Sequence, residues 1–511
     1  MTKTYEELKT RLASIHDLHM ARSILGWDQH TKMPPRGGEV RAEQLGTLDR
    51  FSHELFIDDD IGRLLEELRA YEEDVGPDSL EGSLIRITRR DYEKAKRVPP
   101  ELRAEMTRAG AIALPPWIDA REKSDFSIFL PYLKRNVELT HQYIACFEDM
   151  GFASAYDVLL DDFDEGMTAE DVRTVFDELK RELIPLIAQI QEHADRVDDS
   201  SLHGDFPIEK QRAIALEILE RFGFDHESWR LDPTVHPFAM SAGTKDIRLT
   251  TRYDENELGV SLFATFHEFG HGFYEANVDP AFERTSLSNV TSMSLHESQS
   301  RMWENLVGRG LPMWRFFYPR LQATFPDQFG DVELDEFYGA INKVQPSLIR
   351  VEADEATYNM HIILRFELEQ EILSGDLPLE DLPEAWNARM AEYVGIDVPD
   401  DTRGVLQDVH WSGGAIGYFP TYALGNVVSV QLWDKLRGEL PDLDAQFEKG
   451  EFGVLAEWLR ENLHRHGRKY TSKEMLDRIV GGPMDPGPYL RYLKEKLGEI
   501  YGLPVEAGAA V

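Results

Sequence analysis

The chain is predicted to be mainly α-helical, and two observations predict it. Apolar residues recur at three- and four-residue spacing through most of its segments, and alternating, β-branched runs are rare. A third observation bears on organisation: no Gly/Ser linker, low-complexity tract, internal repeat or compositional shift interrupts the 511 residues. In chain order, helices are expected at residues 5–19 with Thr4 as cap, then 42–57, 61–73, 92–97, 99–113, 129–149 and 169–191. A helix at 208–222 is stopped by Gly223. Later helices are expected at 258–276, 293–308, 311–325, 334–344, 352–374, 382–394, 426–440, 454–462, 472–480 and 486–501. The strand candidates are residues 246–251 and the segment around 235–240, a small sheet beside the 258–276 helix. One domain with a deep cleft, spanning 1–511, is the simplest architecture.

Composition excludes several classes of partner. Ninety-three acidic residues against 55 basic ones give a net charge of −38, which argues against nucleic acid and anionic membranes. Seventeen of the basic residues are Lys and 38 are Arg. Acid excess with scarce Lys fits a salt-rich cytosol as well as a plain acidic mesophilic enzyme; the dependence of activity on KCl separates the two. No apolar run reaches the length of a membrane span, and the amino terminus lacks the basic and apolar regions of a signal peptide, so a cytoplasmic protein is expected. The single cysteine, Cys146, excludes an internal disulfide and is expected as a small buried apolar residue.

Within the 258–276 pattern stands Thr265-Phe266-His267-Glu268-Phe269-Gly270-His271-Gly272, which contains His-Glu-x-x-His. Positions i and i+4 share a helix face, so His267 and His271 can present two imidazoles to one metal ion. Glu268 sits beside them, able to reach a water without being a ligand. This is the zinc metallopeptidase arrangement, in which zinc acidifies water and the Glu takes its proton. An ordinary core helix with two histidines is the bland alternative. Against it, Leu262, Phe266, Phe269 and Phe273 already supply a buried stripe. Gly270 and Gly272 each cost about 1 kcal/mol relative to Ala in a helix, tolerable where something must approach closely.

A catalytic zinc takes three protein ligands and keeps one position open. Glu297 lies 26 residues after His271, in Ser292-Met293-Ser294-Leu295-His296-Glu297-Ser298-Gln299, where hydroxyls suited to capping precede a helical pattern. Its neighbour His296 is a competent rival, but adjacent helical residues point about 100° apart, so only one of the two can face the metal. Glu297 is preferred because it gives the two-His-one-Glu set; His296 is then a group near the site or a structural residue.

Groups suited to holding a peptide are also present. Asp246, Arg248 and Thr250 share one face of an extended segment. Arg350 opens the helix expected after Ile349, where a cation opposes the helix dipole and so suggests a ligand. Bidentate pairing makes Arg248 and Arg350 clamps for a C-terminal carboxylate, or else structural partners of Asp246 and Asp354. In the stretch from Gly404 to Tyr422, His410, Tyr418 and Tyr422 can each donate to an oxyanion or serve as core residues, and spacing does not rank them.

Together these residues resemble the thermostable-carboxypeptidase (M32) family of zinc metallocarboxypeptidases. The resemblance rests on His236-Pro237-Phe238, Asp246 to Thr250 with Arg248, His267 to His271, His296 to Gln299, Ile349 to Asp354 with Arg350, and Gly404 to Trp411. Trp27-Asp28-Gln29-His30-Thr31-Lys32-Met33-Pro34 is similar to the family's amino-terminal signature. It implies a helical fold with a long groove, similar to neurolysin and angiotensin-converting enzyme, with residues 1–75 as a helical lid, and commonly a homodimer. It implies one zinc (cobalt as a substitute) on His267, His271 and Glu297, with Glu268 as general base. Arg248 and Arg350 would receive the substrate's carboxylate, with His236, His410, Tyr418 and Tyr422 on the substrate side. The expected reaction is release of single C-terminal residues from peptides, broad in specificity and disfavouring proline. Two rivals are a zinc oligopeptidase that cuts internal bonds and a helical scaffold that has lost catalysis.

Overall fold

A computed structural model describes residues 2–504, and these are helical apart from one small sheet and the connecting loops. The described chain forms two compact units, each assembled from three separate stretches. The first takes in residues 2–96, 200–341 and 432–482, and the second 97–199, 342–431 and 483–504. None of the described helices is long and apolar enough to cross a membrane.

The first unit opens with the helix Lys3–Thr31, which packs on Gly38–Phe56. Its cap is Thr2, whose hydroxyl accepts from the Tyr5 amide at 3.2 Å; Thr4, the expected cap, lies inside the helix. The expected 61–73 helix is two helices, Asp59–Glu67 and Arg69–Val75, and the one expected at 92–97 begins much earlier, as Leu80–Arg97. Ile208–Phe222 has its expected bounds and ends on Gly223, which takes the left-handed φ of 119° that a Cβ disfavours. The sheet has the order β1(Trp229–Pro233), β3(Ile247–Thr251), β2(Ala239–Ser241), with β1 parallel and β2 antiparallel to β3. Arg230 of β1 and Met240 of β2 both stand opposite Arg248.

The expected helix Leu258–Ala276 packs on this sheet and on Met293–Arg301. Phe266 and Phe269 are fully buried and, with Phe222 and Trp303, form an aromatic core in which ring centroids lie 4.7–5.5 Å apart. Two of its three glycines face the two neighbours. A Cβ on Gly270 would lie 2.4 Å from the Gln299 carbonyl oxygen and 2.6 Å from Ser300 Cα; one on Gly272 would lie 2.8 Å from both Ile247 and Leu249. The helix is thus thinned on one side for a backbone and on the other for the sheet. Gly270→Ala is expected to destabilise by about 1–3 kcal/mol, because a backbone has to move. Gly46→Ala, in an exposed helix position with open space around it, is expected to stabilise by up to about 1 kcal/mol. Denaturant unfolding of the two variants should therefore give shifts of opposite sign.

In the second unit Pro100–Lys123 packs on Phe126–Ala145, and Asn136 there donates to the carbonyls of Trp411 and Ser412, both at 2.9 Å. Ala169–Gln191 has its expected bounds, whereas the helix Ala155–Phe163 was not expected. Tyr358–Ser374 is buried nearly all round, with His361, Arg365 and Glu369 spaced four apart inside it. This helix starts six residues later than the expected 352–374. The Asp354 carboxylate accepts from the Gln345, Ala356 and Thr357 amides, a local turn that competes with helix, and Arg350–Glu352 is a short 3₁₀ turn. Cys146 is only partly buried, contrary to expectation.

Candidate active site and metal centre

His267 and His271 project from one face of Leu258–Ala276, with ring centroids 4.9 Å apart. Glu297 reaches them from Met293–Arg301, whose start is capped by the Ser292 hydroxyl accepting from the Leu295 amide. Its Oε2 lies 3.4 Å from His271 Nε2 and 3.7 Å from His267 Nε2, and the three ligand atoms all fall within 4.8 Å of one another. Tetrahedral zinc with bonds of about 2.1 Å requires ligand atoms roughly 3.4 Å apart, so the donor set and its spacing fit that ion. His267 Nδ1 lies 2.9 Å from Glu304, which fixes the tautomer and leaves the Nε2 lone pair for a metal.

Glu297 and Glu268 are both buried but titrate in opposite directions. Burial raises Glu268 to about 7, against the pull of the neighbouring His267. For Glu297 burial works the same way, yet Arg301 and the two histidines outweigh it and hold the carboxylate well below its usual range. Burial, helped by His296, pushes His271 down to about 4, so its imidazole is neutral and a competent ligand. His296 is not one of the three. Its Nε2 lies 3.2 Å from Glu275 and its ring stacks on His271 at 4.2 Å.

The other expected site residues fall in two places. In the first unit, Arg248 makes a bidentate pair with Asp246 (2.8 Å twice) and lies over the Trp27 ring at 4.7 Å. His236 is exposed, in the segment joining β1 to β2. In the second unit, Arg350, His410, Tyr418 and Tyr422 come together. His410 Nε2 lies 3.3 Å from the Tyr422 hydroxyl, Tyr418 and Tyr422 meet edge to face at 5.2 Å, and the Arg350 guanidinium lies 5.0 Å from the Tyr422 ring centre.

Arg350 does not pair with Asp354. Its Nε and Nη2 donate to Asp408, at 3.1 and 2.8 Å, and Nη1 to the Tyr358 hydroxyl at 2.9 Å. The buried Arg365 donates to the other Asp408 oxygen at 2.7 Å. One carboxylate therefore serves two guanidinium groups, whose combined charge exceeds it by one. Burial, with Arg365 and Arg350 beside it, pushes His361 down to about 3.

Asp408, Glu304, Arg301 and Glu275 are not singled out by the sequence. Glu304 carried a signal. It lies seven residues after Glu297, two turns along one face, but Met302–Val307 is a π turn, which simple helical spacing does not anticipate.

Residues 7–497 match the model of the family described as Carboxypeptidase Taq (M32) metallopeptidase. The chain belongs to the M32 family. Thermostable carboxypeptidase 1 of Thermus thermophilus is 41% identical over 487 residues, covering 94% of this chain and 95% of that one. Carboxypeptidase 1 of Bacillus subtilis is 39% identical over 500 residues, with 98% and 99% covered. The crystal structure of an M32 carboxypeptidase from Deinococcus radiodurans R1 superposes with a TM-score of 0.94 at 39% identity, covering 98% of this chain and all of that one. As an M32 member the chain is a metallocarboxypeptidase, a hydrolase of peptide bonds, and it has the family's mainly helical fold. Its His267/His271/Glu297 cluster is a candidate site for the metal that membership implies.

Proposed function

We propose that this M32 enzyme is a zinc-dependent carboxypeptidase that removes single residues from the C-terminus of peptides. The observation that carries the reading is the meeting of the half-buried His267 and His271 with the buried Glu297, with the buried Glu268 next in chain to the first of them. Zinc, when bound there, supplies a Lewis acid that polarises the scissile carbonyl and acidifies water. Glu268 takes a proton from the attacking water and passes it to the departing amine nitrogen, so that a carboxylic acid and a free amino acid leave. Arg248 and Arg350 receive the substrate's terminal carboxylate; the surplus positive charge at Asp408 supports that role for Arg350. His236 contacts the substrate, and one of His410, Tyr418 and Tyr422 donates to the oxyanion, their clustering with Arg350 being the support.

Broad specificity with proline disfavoured, a homodimeric state, cytoplasmic residence and cobalt as a working substitute for zinc belong to the same proposal. So do the lid formed by residues 1–75 and the absence of nucleic-acid and membrane partners, the last two supported by the −38 charge. The test combines metal analysis with mass spectrometry of a digested peptide. About one zinc per chain, activity lost on chelation, and serial loss of single residues from the carboxyl end are expected. Internal fragments as first products would point to an oligopeptidase instead, and a metal-free, inactive chain to a scaffold.

A further inference from the structure

Glu297 offers its two oxygens unequally. Oε2 faces both histidines, at 3.4 and 3.7 Å, whereas Oε1 accepts from Arg301 Nε at 2.7 Å. The Ser300 hydroxyl lies 3.1 Å from Oε2 but donates chiefly to the Glu297 carbonyl at 2.6 Å. Arg301 sits four residues on, one turn along the same face, and is itself largely buried. Its Nη1 lies 3.3 Å from Glu304 Oε2, the oxygen that holds His267 Nδ1. One guanidinium thus touches the carboxylate ligand directly and the histidine ligand through Glu304.

From this geometry we propose that Arg301 is a positioning residue that restricts Glu297 to one-oxygen ligation of the metal. The inference rests on the metal reading given above. A carboxylate can bind a metal through one oxygen or two, and a two-oxygen grip would fill the open position that a catalytic ion needs. By occupying Oε1 with a charge-assisted hydrogen bond, Arg301 keeps the coordination number low. Its positive charge also draws electron density from the ligand, so that the ion remains a stronger Lewis acid. Affinity is sacrificed for reactivity: a cation beside a dication repels it, and removing Arg301 leaves both Glu297 and Glu304 less neutralised.

The sign of the affinity change therefore separates this role from mere construction of the site. Arg301→Met and Arg301→Lys would be prepared as full chains, stripped of metal and reloaded with zinc or cobalt(II). Zinc affinity would be read by chelator competition and coordination number by cobalt(II) visible absorption, which weakens as a fourth ligand becomes a fifth or sixth. Arg301→Met is expected to hold zinc at least as tightly as the native chain and to show weakened cobalt absorption. Arg301→Lys, which can still donate to Oε1, is expected to keep the native spectrum. A native spectrum for Arg301→Met, or zinc binding weakened tenfold or more in it, would overturn the inference. Should Arg301→Met fail to fold, the Lys variant decides, since a weakened spectrum there despite an intact donor overturns the inference and a native one supports it. A native chain that takes up no zinc or cobalt would instead overturn the metal reading, and the inference with it.

Discussion

Glu268→Gln is expected to lower kcat/KM by about 10²–10⁴-fold while leaving metal content at about one ion per chain. The amide keeps the shape and burial of the carboxylate but can neither accept the proton of the attacking water nor carry it to the leaving nitrogen. Glu268 titrates near 7 in the metal-free chain because burial disfavours its charge. A dication bound beside it favours the charged form, so the acid limb of the kcat/KM profile belongs below pH 7. Activity falls as pH drops through that limb because the base becomes protonated. His267→Ala and Glu297→Ala differ in kind: both should lose the metal. Parallel metal analysis and kinetics distinguish the cases, and substantial turnover by the Gln variant would remove Glu268 from the proton's path.

The second large effect concerns recognition of a chain end. Arg350→Lys is expected to cut turnover of free-acid peptides roughly tens- to thousands-fold, the equivalent of losing a desolvated pair worth about 2–5 kcal/mol. A carboxylate meets Arg through two parallel hydrogen bonds that Lys cannot reproduce. Because Arg350 also shares Asp408 with Arg365, the absolute rate would mix recognition with damage to a buried network. The ratio of free-acid to amidated substrate is the cleaner measurement. The native enzyme should trim amidated peptides poorly, and Arg350→Lys and Arg248→Lys should discriminate less. Equal trimming of acid and amide by the native protein would return both arginines to the structural pairs they make with Asp408 and Asp246.

What the sequence revealed was what depends on local spacing. The helices Ala169–Gln191, Ile208–Phe222, Leu258–Ala276 and Ser472–Val480 carry clear apolar periods and appear with their expected bounds. So does the reason for two helix-weakening glycines, each of which faces a neighbour too close for a methyl group. Lys3–Thr31 outran its expected end at residue 19 because few of its later residues are buried, leaving no stripe to read. Ala155–Phe163 was missed for the opposite cause. Five consecutive residues, Tyr156 to Leu160, are buried and so show no period; its signal was the capping box of Ser154 with Asp157. β1, only five residues long with a single polar–apolar alternation before it ends on Pro233, reads as a loop. The partner of Arg350 was illegible for a different reason, since Asp408 lies 58 residues away and only the folded chain brings the two together.

The interleaved make-up of the two units bears on how the protein is born. The first unit needs residues 432–482 to be complete, and the second needs residues that follow 482. A ribosome adding about 5–20 residues per second reaches residue 482 roughly 20–80 s after residue 96 has been made. Neither unit can be finished on the nascent chain until nearly all of it has been synthesised, and because their stretches interleave, no single cut of the gene leaves both units whole.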